Sequence, residues 1–292
     1  MKPLANVRIL SLALNLPGPA ALMRCRLMGA TCAKLEPPSG DPMRHYNPGA
    51  YDEMHEGVKV LVADLKTQDG QAAVHKELAR TDVLLTSFRP SAMTKLGLDW
   101  PQLHARYPSL CQVAIVGGPG AAAEVPGHDL TYLAEHGLVP GMDLPATLFA
   151  DMAGSLMAAE AVLQAALVQA ERYTGSGDTH PPGRYFEVAL ADAAGYLALP
   201  RHWGLTQPSG AVGGAHAGYR VYPCKDGRVA VAALEPHFAA ALCKLAGAAS
   251  KDLKGMFTPA THEAIRTYLA GKSRAELDAL AVEHDLPFHT LA

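Results

Sequence analysis

Short apolar runs alternate with amphipathic segments along the N-terminal part of this chain. The apolar runs are rich in Val, Ile and Leu and are typical of buried strands; we place them at residues 7–14, 31–35, 60–64, 82–85, 110–116 and 185–189. The segments between them carry apolar residues at helical spacing, which predicts helices at residues 20–28, 69–79, 101–106 and 152–172. This alternation favours a parallel sheet assembled from right-handed β-α-β units.

The pattern changes after residue 205. A stretch rich in Gly, Ser and His, residues 207–218, predicts a loop or linker. Apolar segments on either side of the turn Lys225-Asp226-Gly227 then predict a β-hairpin, and helices are predicted at residues 236–245, 262–269 and 274–284. The fold class is therefore α/β, with a large Rossmann-like parallel-sheet domain over residues 1–205 and a smaller α+β domain over residues 206–292.

Composition and charge narrow the classes of function. The chain is 49% hydrophobic and 18% charged, which is typical of a folded globular protein rather than a disordered one. Its net charge is −3 and it has no long basic run, which argues against nucleic acid or an anionic membrane as the main partner. The five cysteines are scattered without a C-x-x-C pair, so we expect reduced thiols in a cytoplasmic protein.

The apolar run near the N-terminus needs separate interpretation, because it follows Lys2 and Arg8 as the core of a signal peptide would. The run is short, and Asn15, Pro17 and Pro19 interrupt it. We therefore interpret it as a buried strand. A transmembrane helix is not expected either, since the chain has no continuous apolar run of about 18 residues.

The candidate chemistry centres on His128 and Asp151. The histidine lies where an apolar element begins, and the aspartate lies at the start of the longest predicted helix. If both face one pocket, they supply two proton-transfer groups of different chemistry, which indicates an enzyme. Each also has a structural explanation: the histidine as a hydrogen-bonded residue at a strand-to-helix junction, and the aspartate as a helix N-cap.

Four other charged residues occur at the ends of predicted elements. Glu235 follows a predicted strand and precedes Pro236, so it is either a helix-start carboxylate or a partner that orients His128. Three cations end or follow predicted strands, where they can meet phosphates or simply be surface charge; they are Lys34, Lys66 and Arg89. A nicotinamide site is not expected, because the fingerprint G-x-G-x-x-G is absent around Gly18.

Several short motifs occur in a characteristic order along nearly the whole chain. They are Leu16-Pro17-Gly18-Pro19-Ala20, Lys34-Leu35-Glu36-Pro37, Gly40-Asp41-Pro42, Asp64-Leu65-Lys66-Thr67, Phe88-Arg89-Pro90, Pro126-Gly127-His128-Asp129, Asp151 before its helix, and Leu234-Glu235-Pro236. With these motifs the chain resembles the family III CoA-transferases (CaiB/BaiF superfamily), which include the α-methylacyl-CoA racemases. In site pattern it is most similar to the racemases.

The resemblance implies roles for individual residues. Asp151 matches the active-site aspartate, which forms acyl-anhydride and thioester intermediates in transferases and acts as an acid/base in racemases. His128 and Glu235 match the racemase pattern, as the second acid/base and its hydrogen-bonding partner. Positions that hold the CoA nucleotide are matched by Lys34, Leu65, Lys66 and Arg89. No metal and no tightly bound cofactor are implied, and coenzyme A enters as part of an acyl-CoA thioester substrate.

The resemblance also implies the reaction and the assembly. We expect racemisation or epimerisation at the α-carbon of a 2-methylacyl-CoA thioester by two-base proton transfer. The alternatives are CoA transfer through an aspartyl-CoA intermediate and a non-catalytic CoA-binding homologue. Family members continue beyond the position of Ala292, so we expect a C-terminally short version of the fold. We also expect a homodimer, which is interlocked in the longer members.

Overall fold

The computed structural model describes residues 2–170, 182–249 and 253–292. The chain divides into two compact units, Met1–Ala198 and Leu199–Ala292. The boundary between the units thus lies before residue 205, where the sequence places the end of the first domain. Residues 199–205 thus belong to the second unit, and they include a short helix, Leu199–His202.

A six-stranded parallel sheet forms the centre of the first unit. Its strands are β1 (Arg8–Ser11), β2 (Thr31–Glu36), β3 (Lys59–Val62), β4 (Val83–Thr86), β5 (Cys111–Val116) and β6 (Tyr185–Ala189). They are arranged in the order β3-β2-β1-β4-β5-β6, and every neighbouring pair is parallel. This is the strand order of the doubly wound Rossmann fold, so the predicted fold class is confirmed. The order reverses between β1 and β4, and ligands bind at such a switch point.

The sheet is covered on both faces, which explains why its strands have continuous apolar runs. Alternate residues of β1 point to opposite faces: Ile9 packs in one buried cluster and Leu10 in another. In β4, Leu84 joins the cluster of Leu10, while the neighbouring Leu85 packs with Ile9. The interpretation of the N-terminal apolar run as a buried strand is therefore confirmed.

Helices cover the two faces. Those that the sequence predicts are α1 (Pro17–Leu27), α4 (Gln68–Leu78), α6 (Trp100–Arg106) and α8 (Phe149–Ala170). The sequence prediction omits α2 (Met43–Tyr46), α3 (Pro48–His55), α5 (Pro90–Lys95), α7 (Asp129–Glu135) and α9 (Leu190–Leu197). These omitted helices have between four and eight residues, which is at most about two turns. The predicted end of α8 at residue 172 lies outside the described residues.

The longest described helix, α8, packs against α1, α9 and β5. It has the length and apolar composition of a membrane span, and it is the one such helix in the part of the chain that the structure describes. A core helix needs the same kind of residues, and the packed face of α8 consists largely of buried alanines. Its composition is therefore explained by packing inside the unit, and we do not interpret it as a membrane span.

The second unit contains a three-stranded antiparallel sheet with order β7-β8-β9 and its own core. The strands are β7 (Tyr219–Cys224), β8 (Gly227–Ala232) and β9 (Phe288–Leu291), and the helices are α10 (Leu199–His202), α11 (Pro236–Ala246), α12 (Pro259–Ala270) and α13 (Arg274–Glu283). The predicted hairpin and the three predicted helices are confirmed. The final strand, β9, is missing from the sequence prediction.

Candidate active site

Segments that follow β1, β4 and β5 meet at the switch point of the large sheet and enclose a cavity of about 490 Å³. The walls are completed by α2 and by the N-terminal ends of α7 and α8. Residues that line the cavity include Asn15, Leu16, Tyr46, Phe88, Arg89, Val125, His128, Asp129, Leu148 and Asp151. The two candidate acid/base residues therefore line the same cavity. The mixed lining is typical of a small-molecule site with a few convergent polar groups.

Asp151 is half-buried in the first turn of α8. It is not the N-cap, because the helix begins at Phe149, so that structural explanation is wrong. Its backbone N–H donates a hydrogen bond to Asp129 Oδ1 at 3.0 Å. Burial and then the negative charge of Asp129 raise the pKa of the Asp151 carboxyl from 3.8 to about 6, while His128 acts in the opposite direction. A carboxyl in this range can accept or donate a proton near neutral pH.

Asp129 also lines the cavity, although the sequence analysis gives it no role. It is the first residue of α7 and is buried, with 5% of its surface exposed. Its carboxylate fixes the first turn of α8 through the bond to the Asp151 N–H and also raises the pKa of Asp151. Its place directly after His128 in a Pro-Gly-His-Asp motif is the signal that could have identified it.

His128 immediately precedes α7 and is exposed to the cavity. Its backbone N–H donates to Thr131 Oγ1 at 3.0 Å, and the Thr131 hydroxyl donates to the His128 carbonyl oxygen at 2.7 Å. The junction is thus held by these reciprocal bonds to the backbone of His128. The imidazole lies close enough to Asp151 to lower the pKa of its carboxyl. The arrangement suits the predicted acid/base role, which stays a prediction.

Lys34 is placed differently from what a nucleotide contact requires. Its side chain is fully buried within β2, where Nζ contacts the Asp41 carboxylate and lies 3.2 Å from Glu36 Oε1. The ammonium also donates to His55 Nε2 at 2.8 Å. Three potential metal ligands, from Glu36, Asp41 and His55, lie within 4.8 Å of one another, and the ammonium contacts all three. Lys34 therefore serves as the internal cation of a buried ion cluster.

The buried ion cluster (Lys34, Glu36, Asp41 and His55) is closed by a tyrosine. Tyr51 donates its hydroxyl to Glu36 Oε1 at 2.8 Å, and its carbonyl oxygen accepts from His55 Nδ1 at 2.6 Å. Burial, and to a lesser extent the charge of Lys34, lowers the pKa of His55, which keeps this ring neutral. The ordinary surface-charge explanation of Lys34 is accordingly wrong.

The remaining predicted binding residues are distributed over several places. Arg89 is exposed and lines the cavity with His128 and Asp151. Leu65 is half-buried and packs on the sheet, and Lys66 is exposed with its backbone N–H donating to Asp64. Neither of them is among the cavity lining. Their contacts with a nucleotide stay predictions.

Glu235 belongs to the second unit, where it is exposed and directly precedes α11. Its side chain makes no capping hydrogen bond to that helix. A carboxylate that does not cap its own helix remains available for another partner. Its role in orienting His128 stays a prediction.

The fold and the site define a doubly wound α/β protein with a cavity at the switch point of its sheet. Comparison with known proteins identifies its family. Residues 4–292 match CoA-transferase family III. The chain belongs to this family, and the resemblance inferred from its motifs is confirmed. Relatives include proteins named as CoA-transferases and one named as a racemase.

Individual relatives illustrate both activities. The chain is 28% identical to succinate–glutarate CoA-transferase of Agrobacterium fabrum over 274 residues, covering 84% of this chain and 66% of that protein. It is 27% identical to human alpha-methylacyl-CoA racemase over 297 residues, covering 94% of this chain and 73% of the racemase. A match to cinnamoyl-CoA:phenyllactate CoA-transferase of Clostridium sporogenes, 33% identical, covers 47% of this chain and 36% of that enzyme.

Solved structures support the same conclusion. The crystal structure of the hypothetical protein Rv3272 from Mycobacterium tuberculosis matches all of this chain with a TM-score of 0.80 and 28% identity, and 84% of that protein is covered. A CAIB/BAIF family protein from Brucella suis has the same fold, with a TM-score of 0.77, 23% identity and the same two coverages. The matched part of the chain spans between about a third and two thirds of the length of the first curated relatives.

Proposed function

We propose that the protein racemises or epimerises the α-carbon of a 2-methylacyl-CoA thioester by two-base proton transfer. The observation that carries this proposal is that His128 and Asp151 line one cavity. We also expect a cytoplasmic homodimer that binds coenzyme A only as part of its substrate.

The reaction requires one base and one acid on opposite faces of the α-carbon. A carboxylate or a neutral imidazole removes the α-proton as the carbon–hydrogen electrons move into an enolate. The other group, in its protonated form, then returns a proton to the opposite face. An imidazole and a carboxyl can each act as base or as acid, and the pKa of Asp151 is raised to about 6. Both groups can thus serve in either direction, as interconversion of enantiomers requires.

Similarity to human alpha-methylacyl-CoA racemase supports this proposal, because the alignment covers 94% of this chain. Arg89 supplies a cation on the cavity wall, where it can meet a phosphate of the CoA portion.

The test uses each enantiomer of a 2-methylacyl-CoA separately in D₂O. Wild-type protein should incorporate deuterium at the α-carbon and form the opposite enantiomer. His128→Gln and Asp151→Asn should each abolish inversion while retaining α-deuterium exchange for one enantiomer, a different one in each variant. His289→Gln, at an exposed position of β9, is the matched control and should behave like wild type. Absence of α-exchange in the wild type contradicts the proposal.

CoA transfer is the second candidate, and the half-buried Asp151 carboxyl on the cavity wall is the observation that favours it. Its carboxylate would attack the thioester carbonyl and release CoA thiolate, leaving an acyl-aspartyl anhydride. The thiolate would then attack the aspartyl carbonyl and release the carboxylic acid, giving aspartyl-CoA. Mass spectrometry should detect CoA attached to Asp151 if this pathway operates. Such an adduct in a His128→Gln variant that retains transferase activity would favour transfer over racemisation.

A further inference from the structure

Asn15 has an unusual backbone conformation at the cavity wall. Its φ is +64°, and among the described residues only Asp285 shares a positive φ without being glycine. The left-handed region is costly for most side chains, although Asn tolerates it better than others. Strained residues of this kind often cluster at functional sites. Asn15 follows β1 at the switch point and lines the same cavity as Asp151.

The buried ion cluster holds Asn15 in this conformation. The Asn15 backbone N–H donates to both carboxylate oxygens of Asp41, at 3.1 and 3.2 Å. Asp41 is fully buried and paired with the Lys34 ammonium. The charge on Asp41 strengthens the bond from Asn15. The ion cluster therefore fixes the backbone from which the Asn15 side chain projects.

A second contact orients the Asn15 side chain. The Tyr46 hydroxyl donates to Asn15 Oδ1 at 2.9 Å. Tyr46 also lines the cavity, and the negative charge of Asp151 contributes, after burial and Asp41, to raising the pKa of the tyrosine. The Asn15–Tyr46 pair therefore lies within electrostatic reach of Asp151.

The amide nitrogen of Asn15 is the group that these contacts leave available. Oδ1 is occupied by the tyrosine hydroxyl, and Nδ2 donates to no acceptor in residues 2–170, 182–249 or 253–292. The side chain is exposed at the cavity wall. The surrounding residues Leu14, Leu16 and Pro17 are apolar, so this amide is an isolated donor in its loop.

We propose that Asn15 Nδ2 donates a hydrogen bond to the acyl carbonyl oxygen of a CoA thioester bound in this cavity. The inference rests on the proposed function only in that the cavity binds an acyl-CoA. The carbonyl oxygen gains negative charge when the α-proton is removed and also when Asp151 attacks the carbonyl carbon. A fixed donor stabilises that charge in either reaction. Being neutral, the amide does so without adding a positive charge beside Asp151.

The direct test compares two ligands that differ at the carbonyl. Propionyl-CoA has the acyl oxygen, while S-propyl-CoA is the matching thioether without it. Isothermal titration calorimetry on the wild type should show about fivefold tighter binding of the thioester, the effect of one neutral hydrogen bond. Asn15→Gly should abolish this preference, and glycine adopts a positive φ without strain, so the loop conformation is retained. Asn15→Asp, which replaces the donor with an oxygen, should favour the thioether.

Asp285→Gly is the matched control, because it alters the other positive-φ position and lies in the second unit. It should retain the wild-type preference for propionyl-CoA. In a turnover assay, Asn15→Gly should lower kcat by about tenfold to a hundredfold with a smaller change in KM, because the donor acts mainly on developing charge.

The possible failures are distinguishable. If Asn15→Gly retains the preference for propionyl-CoA, the inference is wrong, while the proposed function stands. If the folded wild type binds neither ligand, both the inference and the proposed function are wrong. If Asn15→Gly loses the preference for propionyl-CoA but the wild type shows no α-deuterium exchange, the hydrogen bond from Asn15 to the carbonyl oxygen is supported and racemisation is excluded.

Discussion

Because the pKa of Asp151 is raised in the folded protein, ionisation of this carboxyl should lower the stability of the fold. The carboxyl has an ordinary value of 3.8 and a value of about 6 in the folded protein. Between these values the folded protein binds more protons than the unfolded chain, so the free energy of unfolding falls as the pH rises through this window. Above about pH 6 the loss is complete. The difference corresponds to about 3 kcal/mol, which we reduce to about 2 kcal/mol because the side chain is only half-buried.

Asp151→Asn removes the charge and keeps the size of the side chain. The variant should therefore have a free energy of unfolding about 2 kcal/mol higher than the wild type at pH 7.5, and about the same at pH 4. Guanidinium unfolding is suitable, followed by Trp100 fluorescence in a Trp203→Phe background, since the chain has two tryptophans. Trp100 lies in the first unit and therefore reports on the unit that contains Asp151.

The control is Asp143→Asn, an exposed carboxyl in the segment before α8, which should change stability little at either pH. An equal gain for Asp151→Asn at pH 4 and pH 7.5 would show that packing or hydrogen bonding, not the buried charge, causes it. If Asp151→Asn is less stable than the wild type at pH 7.5, the conclusion that the Asp151 charge destabilises the folded protein is wrong. The stabilised variant should at the same time lose turnover, as is common when a reactive group is removed.

Three further predictions concern other parts of the first unit. Lys34→Met leaves two buried carboxylates without their cation and should lower the free energy of unfolding by about 3–5 kcal/mol in denaturant titrations. Gly154→Ala places a Cβ 2.3 Å from Leu190 Cδ2 and should lower the free energy of unfolding by about 1–3 kcal/mol in the same assay. The control is Gly141→Ala, whose new Cβ has no atom within 4 Å and should change the free energy of unfolding little. Asp129→Asn removes a negative charge that raises the pKa of Asp151, so the acidic limb of the pH profile of kcat/KM should move to lower pH. If this limb does not move, it reports the titration of a group other than Asp151.

The sheet and the long helix could be predicted because the spacing of apolar residues along the chain indicates which elements are buried. Strands β4 and β5 are buried on both faces and therefore read as continuous apolar runs. The short helices could not be predicted in this way. Helix α3 has eight residues, and it starts at a proline and is capped by Asn47, so local turn chemistry rather than periodicity determines it.

The candidate site could be predicted in part. Types and order of residues indicated His128 and Asp151, and both line one cavity. The sequence does not show which charged residues pair in the folded protein, so the ion pairs of Lys34 with Asp41 and Glu36 could not be predicted. The importance of Asp129 was hidden for the same reason, since its partner is a backbone N–H that lies 22 positions further along the chain.

The helix and the connecting segments that line the cavity differ in how readily they accept substitutions. Asp151 is carried by a helix that belongs to the core, and the bond to Asp129 fixes its backbone. Other parts of the cavity wall come from connecting segments, with residues such as Leu16, Phe88 and Val125. Such segments accept substitution more readily than packed helices. These side chains can therefore vary, and with them the shape and polarity of the cavity, while the Asp151 carboxyl keeps its position.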